Sequence, residues 1–149
     1  MDLLEDSLFN FFDGFNCAQA VFAAVAEQHD LDRGTALRIA SGFGGGMSRL
    51  QKTCGAVTGA IMAIGYLKGY QEPEATEQKE ETYALVREFV ERFRNLHHST
   101  ECIELLGYSL TTEEGRARIR ELNLVEKVCE RCVKDAATIL EELMPGSFV

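Results

Sequence analysis

Tryptophan is absent and proline occurs only twice in the 149 residues. With no low-complexity tract either, a Pro-rich disordered chain or a fibrous repeat is excluded. Basic residues are scarce as well: 15 lysines and arginines against 24 aspartates and glutamates leave a net charge of -9 at pH 7. A balance of that sign opposes attraction to phosphate backbones and anionic lipid, and no dense Lys/Arg stripe overrides it. Nucleic acid and membrane are therefore not expected as partners. Long apolar runs are missing too, since the longest, Cys54 to Leu67, is too short to span a bilayer comfortably. The opening "MDLLEDSLFN" is acidic where a signal peptide is basic. The expected compartment is the cytosol, where thiols are kept reduced.

Residues 1–149 fit a single domain, long enough to bury about 70% of the surface the unfolded chain exposes. Such a domain needs neither disulfide nor metal merely to fold. No stretch alternates apolar and polar residues long enough to argue a strand. Helical periodicity is present almost throughout. In "YALVREFVERFRNLH", Tyr83, Val86, Phe89/Val90, Phe93 and Leu96/His97 recur at three and four, predicting an amphipathic helix opened near Pro73. Asn123 and Glu126 form a capping-box pattern ahead of a last helix whose inward face is Val125, Val128/Cys129, Cys132, Ala136, Ile139/Leu140 and Leu143. Residues 2–12, 17–29, 33–41 and 54–68 read as helices, and "TTEEGRARIRELN" as a weaker one. The fold class is all-α, a single-domain multi-helix bundle.

What the chain does have is cysteine in an odd number: Cys17, Cys54, Cys102, Cys129 and Cys132. Scattered over a cytosolic chain, these are not a secreted disulfide framework. They are buried apolar residues, reactive thiols, or ligands to a metal or cluster. Asn16 with Gln19 makes a capping box that puts Cys17 at the first helical position, and Thr53 caps a helix beginning with Cys54. Ser99 or Thr100 places Cys102 in the first turn of "ECIELLG". At such helix starts the unpaired N–H groups favour thiolate over thiol. Cys129 and Cys132 lie instead on the inward face of a helix interior, where simple packing explains them best. Their C-x-x-C lacks the βαβ surroundings of a thioredoxin motif, and Val133 in place of histidine removes haem attachment.

Two glycine clusters invite separate readings. Gly55 and Gly59, with Ala56 and Ala60 beside them, leave one helix face nearly flat, at a cost of about 1 kcal/mol for each glycine. A close neighbour, either another helix or a cofactor, is the compensation; a homodimer is one arrangement left open. "SGFGGGMSRLQKT" ends one helix and turns the chain toward the next. Read as a phosphate loop, it matches at Gly46, Lys52 and Thr53 but has Gln51 where the second glycine belongs. His97 and His98, shortly before Cys102, are second-rank metal ligands, since a histidine pair at a helix end ordinarily serves the dipole.

Together "FNCAQAV", "ALRIASGFGGGM", "TCGAVTGA", "ECIELLG" and "CERCVKDAATILEEL" resemble the C-GCAxxG-C-C family, small proteins to which redox activity is ascribed. The resemblance implies four family cysteines, Cys17, Cys54, Cys102 and Cys129, with Cys132 as an extra that can be removed without loss of activity. Its CGAxxG motif falls on Cys54, Gly55, Ala56 and Gly59. Split-Soret cytochromes share a related domain, so the resemblance also implies an iron–sulfur cluster as a candidate cofactor. Four converging thiolates suit such a cluster, a tetrahedral zinc, or a dithiol–disulfide cycle. The expectation is thus a redox centre at Cys17, Cys54, Cys102 and Cys129 serving an unidentified redox partner, with structural zinc or a cofactor-free interaction module as the alternative.

Overall fold

The computed structural model describes residues 2–149 and forms eight α-helices: α1 (Leu3–Phe12), α2 (Cys17–Glu27), α3 (Arg33–Ala40), α4 (Gly55–Lys68), α5 (Thr76–His97), α6 (Cys102–Leu106), α7 (Glu113–Glu121) and α8 (Glu130–Leu143). Among the described residues there is no strand, only one isolated bridge between Thr53 and Glu101. No helix is long and apolar enough to cross a membrane.

The order of burial follows from composition. In α2 every residue from Ala20 to Ala26 is buried, so this helix is apolar all round and occupies the centre. It packs chiefly against α4, itself rich in glycine and alanine, while α1, α3 and α8 surround it. Helix α5 contributes only one stripe, in which Phe89 and Phe93 are fully buried. Tyr83 and Leu96, counted on that stripe by periodicity, are exposed. A smaller apolar cluster forms separately from Cys102, Leu106 and Ile119, with Tyr108, Leu110, Leu124 and Val128 packed on it. The molecule therefore has a main bundle and a satellite core, and the seam between them positions the site.

Local signals explain most boundaries. Asn16 accepts from the Gln19 amide at 2.9 Å while the Gln19 side chain accepts from the Asn16 N–H at 3.1 Å, completing the expected box and starting α2 at Cys17. Thr112 caps α7, the weaker sequence candidate. Two expectations fail. Asn123 adopts φ +53° and caps nothing; the chain passes through a π-helical stretch, Val125–Cys129, into α8. And α4 starts one residue later than predicted, because Thr53 is held in the bridge to Glu101 and Cys54 becomes the N-cap.

Between α3 and α4, five consecutive residues, Gly45, Gly46, Met47, Ser48 and Arg49, have φ between +51° and +67°. All five lie in the left-handed region of φ, forming one turn. Backbone bonds from Arg49 to the Gly44 carbonyl, Gln51 to Gly45 and Lys52 to Gly46 close it at 2.9–3.0 Å.

Candidate thiol site

The bridge at Thr53 does more than displace a cap. The Cys54 N–H donates to the Thr100 carbonyl and the Cys102 N–H to the Lys52 carbonyl, both at 2.7 Å. Two cysteines 48 positions apart in sequence are thereby fixed side by side by reciprocal backbone bonds. The left-handed turn makes the approach feasible: a Cβ at Gly46 would stand 2.7 Å from that of Cys102, so only glycine fits there. Cys17 arrives from the opposite side because α2 and α4 cross closely at Gly55, whose added Cβ would lie 2.9 Å from the Ala18 nitrogen and 3.2 Å from the Cys17 Cβ.

Cys17, Cys54, Cys102 and Cys129 line one cavity of about 270 Å³. Phe11, Phe15, Leu106, Leu110 and Val125 supply its apolar wall, and Gly45, Gly46 and Gly55 its close backbone approaches. Gly59, the other glycine of the CGAxxG motif, does not border it: the neighbour on that part of the flat face is the Ala18 backbone. All five thiols are free.

Within the cluster the thiols associate in pairs. Hydrogen bonding from Cys132 lowers the Cys54 thiol below its ordinary value, against the effect of burial, and the N–H groups of Ala56 and Val57 at the start of α4 assist. The converse holds for Cys132, which donation to Cys54 and burial push far up. Cys17 is raised well above the ordinary range, first by donation to Cys129 and then by burial. Burial, followed by the charge of Cys54, pushes Cys102 up to about 12. The helix-start argument thus holds for one cysteine of three. At Cys17 and Cys102 desolvation and neighbouring thiols outweigh the dipole, which in five-residue α6 is weak in any case.

Three residues of the site escaped sequence reasoning. Cys132, set aside as an extra, lies in the same buried core cluster as Cys54 and is the first cause of its lowered thiol. Gln51, noted only as a mismatch to a phosphate loop, is buried; its amide donates to the Tyr108 carbonyl and accepts from the Leu110 N–H, both at 2.8 Å, tying the satellite loop down beside Cys102. Asp135, one turn beyond Cys132 on α8, accepts from His97 Nε2 at 2.8 Å. Nothing local distinguished Gln51 from the polar residues around it, Ser48, Arg49, Lys52 and Thr53, and nothing local marked Asp135.

His97 is consequently not a partner of Cys102. It stacks on Phe93 and bonds Asp135, while His98 adopts φ +69° and closes α5. Among the described residues no group of three or more His, Cys, Asp or Glu side chains is disposed to hold a metal ion. Four of the thiols line the cavity, but among the described residues they do not converge as the three or more donors that a zinc or iron–sulfur site draws together.

The raised thiols carry a stability consequence. For Cys102 the unfolded chain releases its proton near 9 and the folded chain near 12, so the unfolded state binds fewer protons between those values. Stability is full below pH 9 and declines as pH rises toward 12. Urea unfolding at pH 8 and pH 10 is expected to give a lower midpoint at pH 10, and Cys102→Val should reduce that difference, Cys17 and Cys132 supplying the rest.

Residues 15–143 match the family described as "Putative redox-active protein (C_GCAxxG_C_C)". No curated protein and no solved structure matches the chain. Since the match takes in all of α2 to α8, every cysteine and most of the cavity lining, this protein belongs to the C-GCAxxG-C-C family.

Proposed function

We propose that the protein is a dithiol–disulfide redox protein in which Cys54 is the attacking thiolate and Cys132 the resolving thiol. The observation that carries this reading is the position of Cys54. It borders the cavity, its thiolate is favoured by Cys132 and the α4 N–H groups, and Cys132 lies in the same buried core cluster without bordering the cavity. A substrate disulfide R–S–S–R meets Cys54 first. The Cys54 thiolate attacks one substrate sulfur, forming Cys54–S–S–R and releasing RS⁻. Cys132 then gives up its proton to the departing sulfur and attacks Cys54, forming the Cys54–Cys132 disulfide as RSH leaves. Two protein thiols are oxidised and one substrate disulfide is reduced. Cys17 and Cys129 form a second pair across the same cavity, and Cys102 stays protonated beside them. A reducing cytosol, with an unidentified redox partner, returns the protein to its dithiol form.

Equilibration of the reduced protein with graded ratios of reduced to oxidised dithiothreitol tests the assignment. Peptide mapping without reduction is expected to find Cys54–Cys132 as the first disulfide to accumulate. A folded protein in which Cys54 stays a free thiol, or in which another pair closes first, overturns it.

A further inference from the structure

The walls of the cavity carry information about what reaches Cys54. Among the described residues lining it, none is Lys, Arg, His, Asp or Glu. Its only side-chain amide, on Asn16, is already engaged: the oxygen accepts from the Gln19 N–H and the nitrogen donates to the Ser41 carbonyl. The carbonyls of Gly45 and Gly46 are likewise taken, by the N–H groups of Gln51 and Lys52. Apart from the thiols and Asn16, no side chain lining the cavity is polar. A carboxylate entering such a space meets no cationic side chain, and the protein's net charge of -9 disfavours its approach.

Size and access narrow the class further. At about 270 Å³ the cavity lies below the ~300–1,000 Å³ of drug-sized sites. Cys54 and Cys102 are only 6% and 7% exposed, so a disulfide held on a folded protein surface has no approach to either sulfur.

We infer that the cavity admits a small uncharged disulfide with an apolar body, and excludes anionic peptide disulfides and the disulfides of folded proteins. The inference rests on the Cys54–Cys132 exchange reading and names its substrate class. The entering disulfide lays its alkyl arms against Phe11, Phe15 and Leu110 and presents a sulfur to Cys54. Attack, release of RS⁻ and closure with Cys132 then follow as above, with no further reactant.

The test follows formation of Cys54–Cys132 in reduced protein at 1 M salt, where the Debye length is about 3 Å and long-range repulsion is removed. The probes are 2-hydroxyethyl disulfide, the dianion 3,3′-dithiodipropionate, and insulin. Each rate is divided by the same probe's rate with free 2-mercaptoethanol, so that intrinsic reactivity cancels. The neutral probe is expected to exceed the dianion and insulin by at least about tenfold. Val125, exposed at the edge of the cavity, supplies a gain-of-function arm: Val125→Lys should raise the dianion's normalised rate several-fold relative to the neutral probe's. Equal normalised rates for the two small probes, an unmoved dianion rate in a folded Val125→Lys protein, or insulin as fast as the neutral probe overturns the substrate class while leaving the exchange reading intact. Absence of Cys54–Cys132 with all three probes overturns both.

Discussion

Cys132→Ala is expected to trap the reaction halfway. Cys54 still attacks a small disulfide, but no thiol stands against it to resolve the product, so a stoichiometric mixed disulfide on Cys54 accumulates, visible as a mass increment of one substrate half. Release of the second half should slow by a hundredfold or more, since the remaining route is attack by external thiol on a sulfur that is almost fully buried. The same change removes the donor that most lowers the Cys54 thiol. Its alkylation at pH 7 should therefore slow by about threefold for each pKa unit regained, because lost thiolate is partly offset by stronger intrinsic nucleophilicity. Cys132→Ser separates the two effects: the hydroxyl preserves a donor and much of the Cys54 reactivity, yet it cannot close a disulfide, so the adduct still accumulates. Cys129→Ala should do neither. If Cys129→Ala trapped the adduct and Cys132→Ala did not, the assignment of the resolving thiol would be wrong, and the set implied by the family resemblance would be restored.

Gly59→Ala should be among the most damaging single-atom additions to the fold. The new Cβ would sit 2.7 Å from the Ala18 carbonyl oxygen and 3.0 Å from its Cα, both in the backbone of the central helix, so no side chain can move aside. Helices α2 and α4 must separate instead, at a cost of about 1–3 kcal/mol, with a larger loss for Gly59→Val. The helix itself supplies the control. Gly65, two turns further along α4, has open space at its Cβ position, and Gly65→Ala should gain up to about 1 kcal/mol from helix propensity alone. Urea midpoints moving in opposite directions for the two variants are the expected result. A Gly59→Ala protein as stable as Gly65→Ala would mean that the helices are not in backbone contact there.

These two experiments bear on what could be read before the fold was known. The helices were legible because their signals are local: the Asn16–Gln19 box, the period of Phe89 and Phe93, and the glycine face of α4 each lie within a few residues. That the thiols of Cys17, Cys54, Cys102 and Cys129 come to one cavity was legible only through the family resemblance, since no local rule brings position 17 near position 129. Cys132 was set aside because the family pattern puts its fourth cysteine at Cys129, and only the packing of α4 against α8 brings Cys132 into one core cluster with Cys54. The same limit governed the pKa values. The sequence marks helix starts at Cys17 and Cys102, but burial and thiol neighbours, which reverse the expected shift, are properties of the assembled seam. Asn123 failed for a different reason: its side chain fits a cap, yet the backbone enters the π-helical stretch in a left-handed conformation that presents no cap geometry.

The turn from Gly45 to Arg49 has a consequence best put in terms of chirality. It holds the sign of φ that a chain of D-amino acids would choose, carried here by two glycines and three L-residues. Met47, Ser48 and Arg49 each sit there against a preference of roughly 1–2 kcal/mol, so the segment owes its shape to its surroundings and not to its own composition. An isolated peptide of residues 41–53 would abandon it, whereas a synthetic copy of the whole chain carrying D-serine at position 48 would relieve part of that preference without changing the path. Chirality at this one turn sets the side from which the chain reaches Thr53, and with it whether Cys54 meets Cys102 at all.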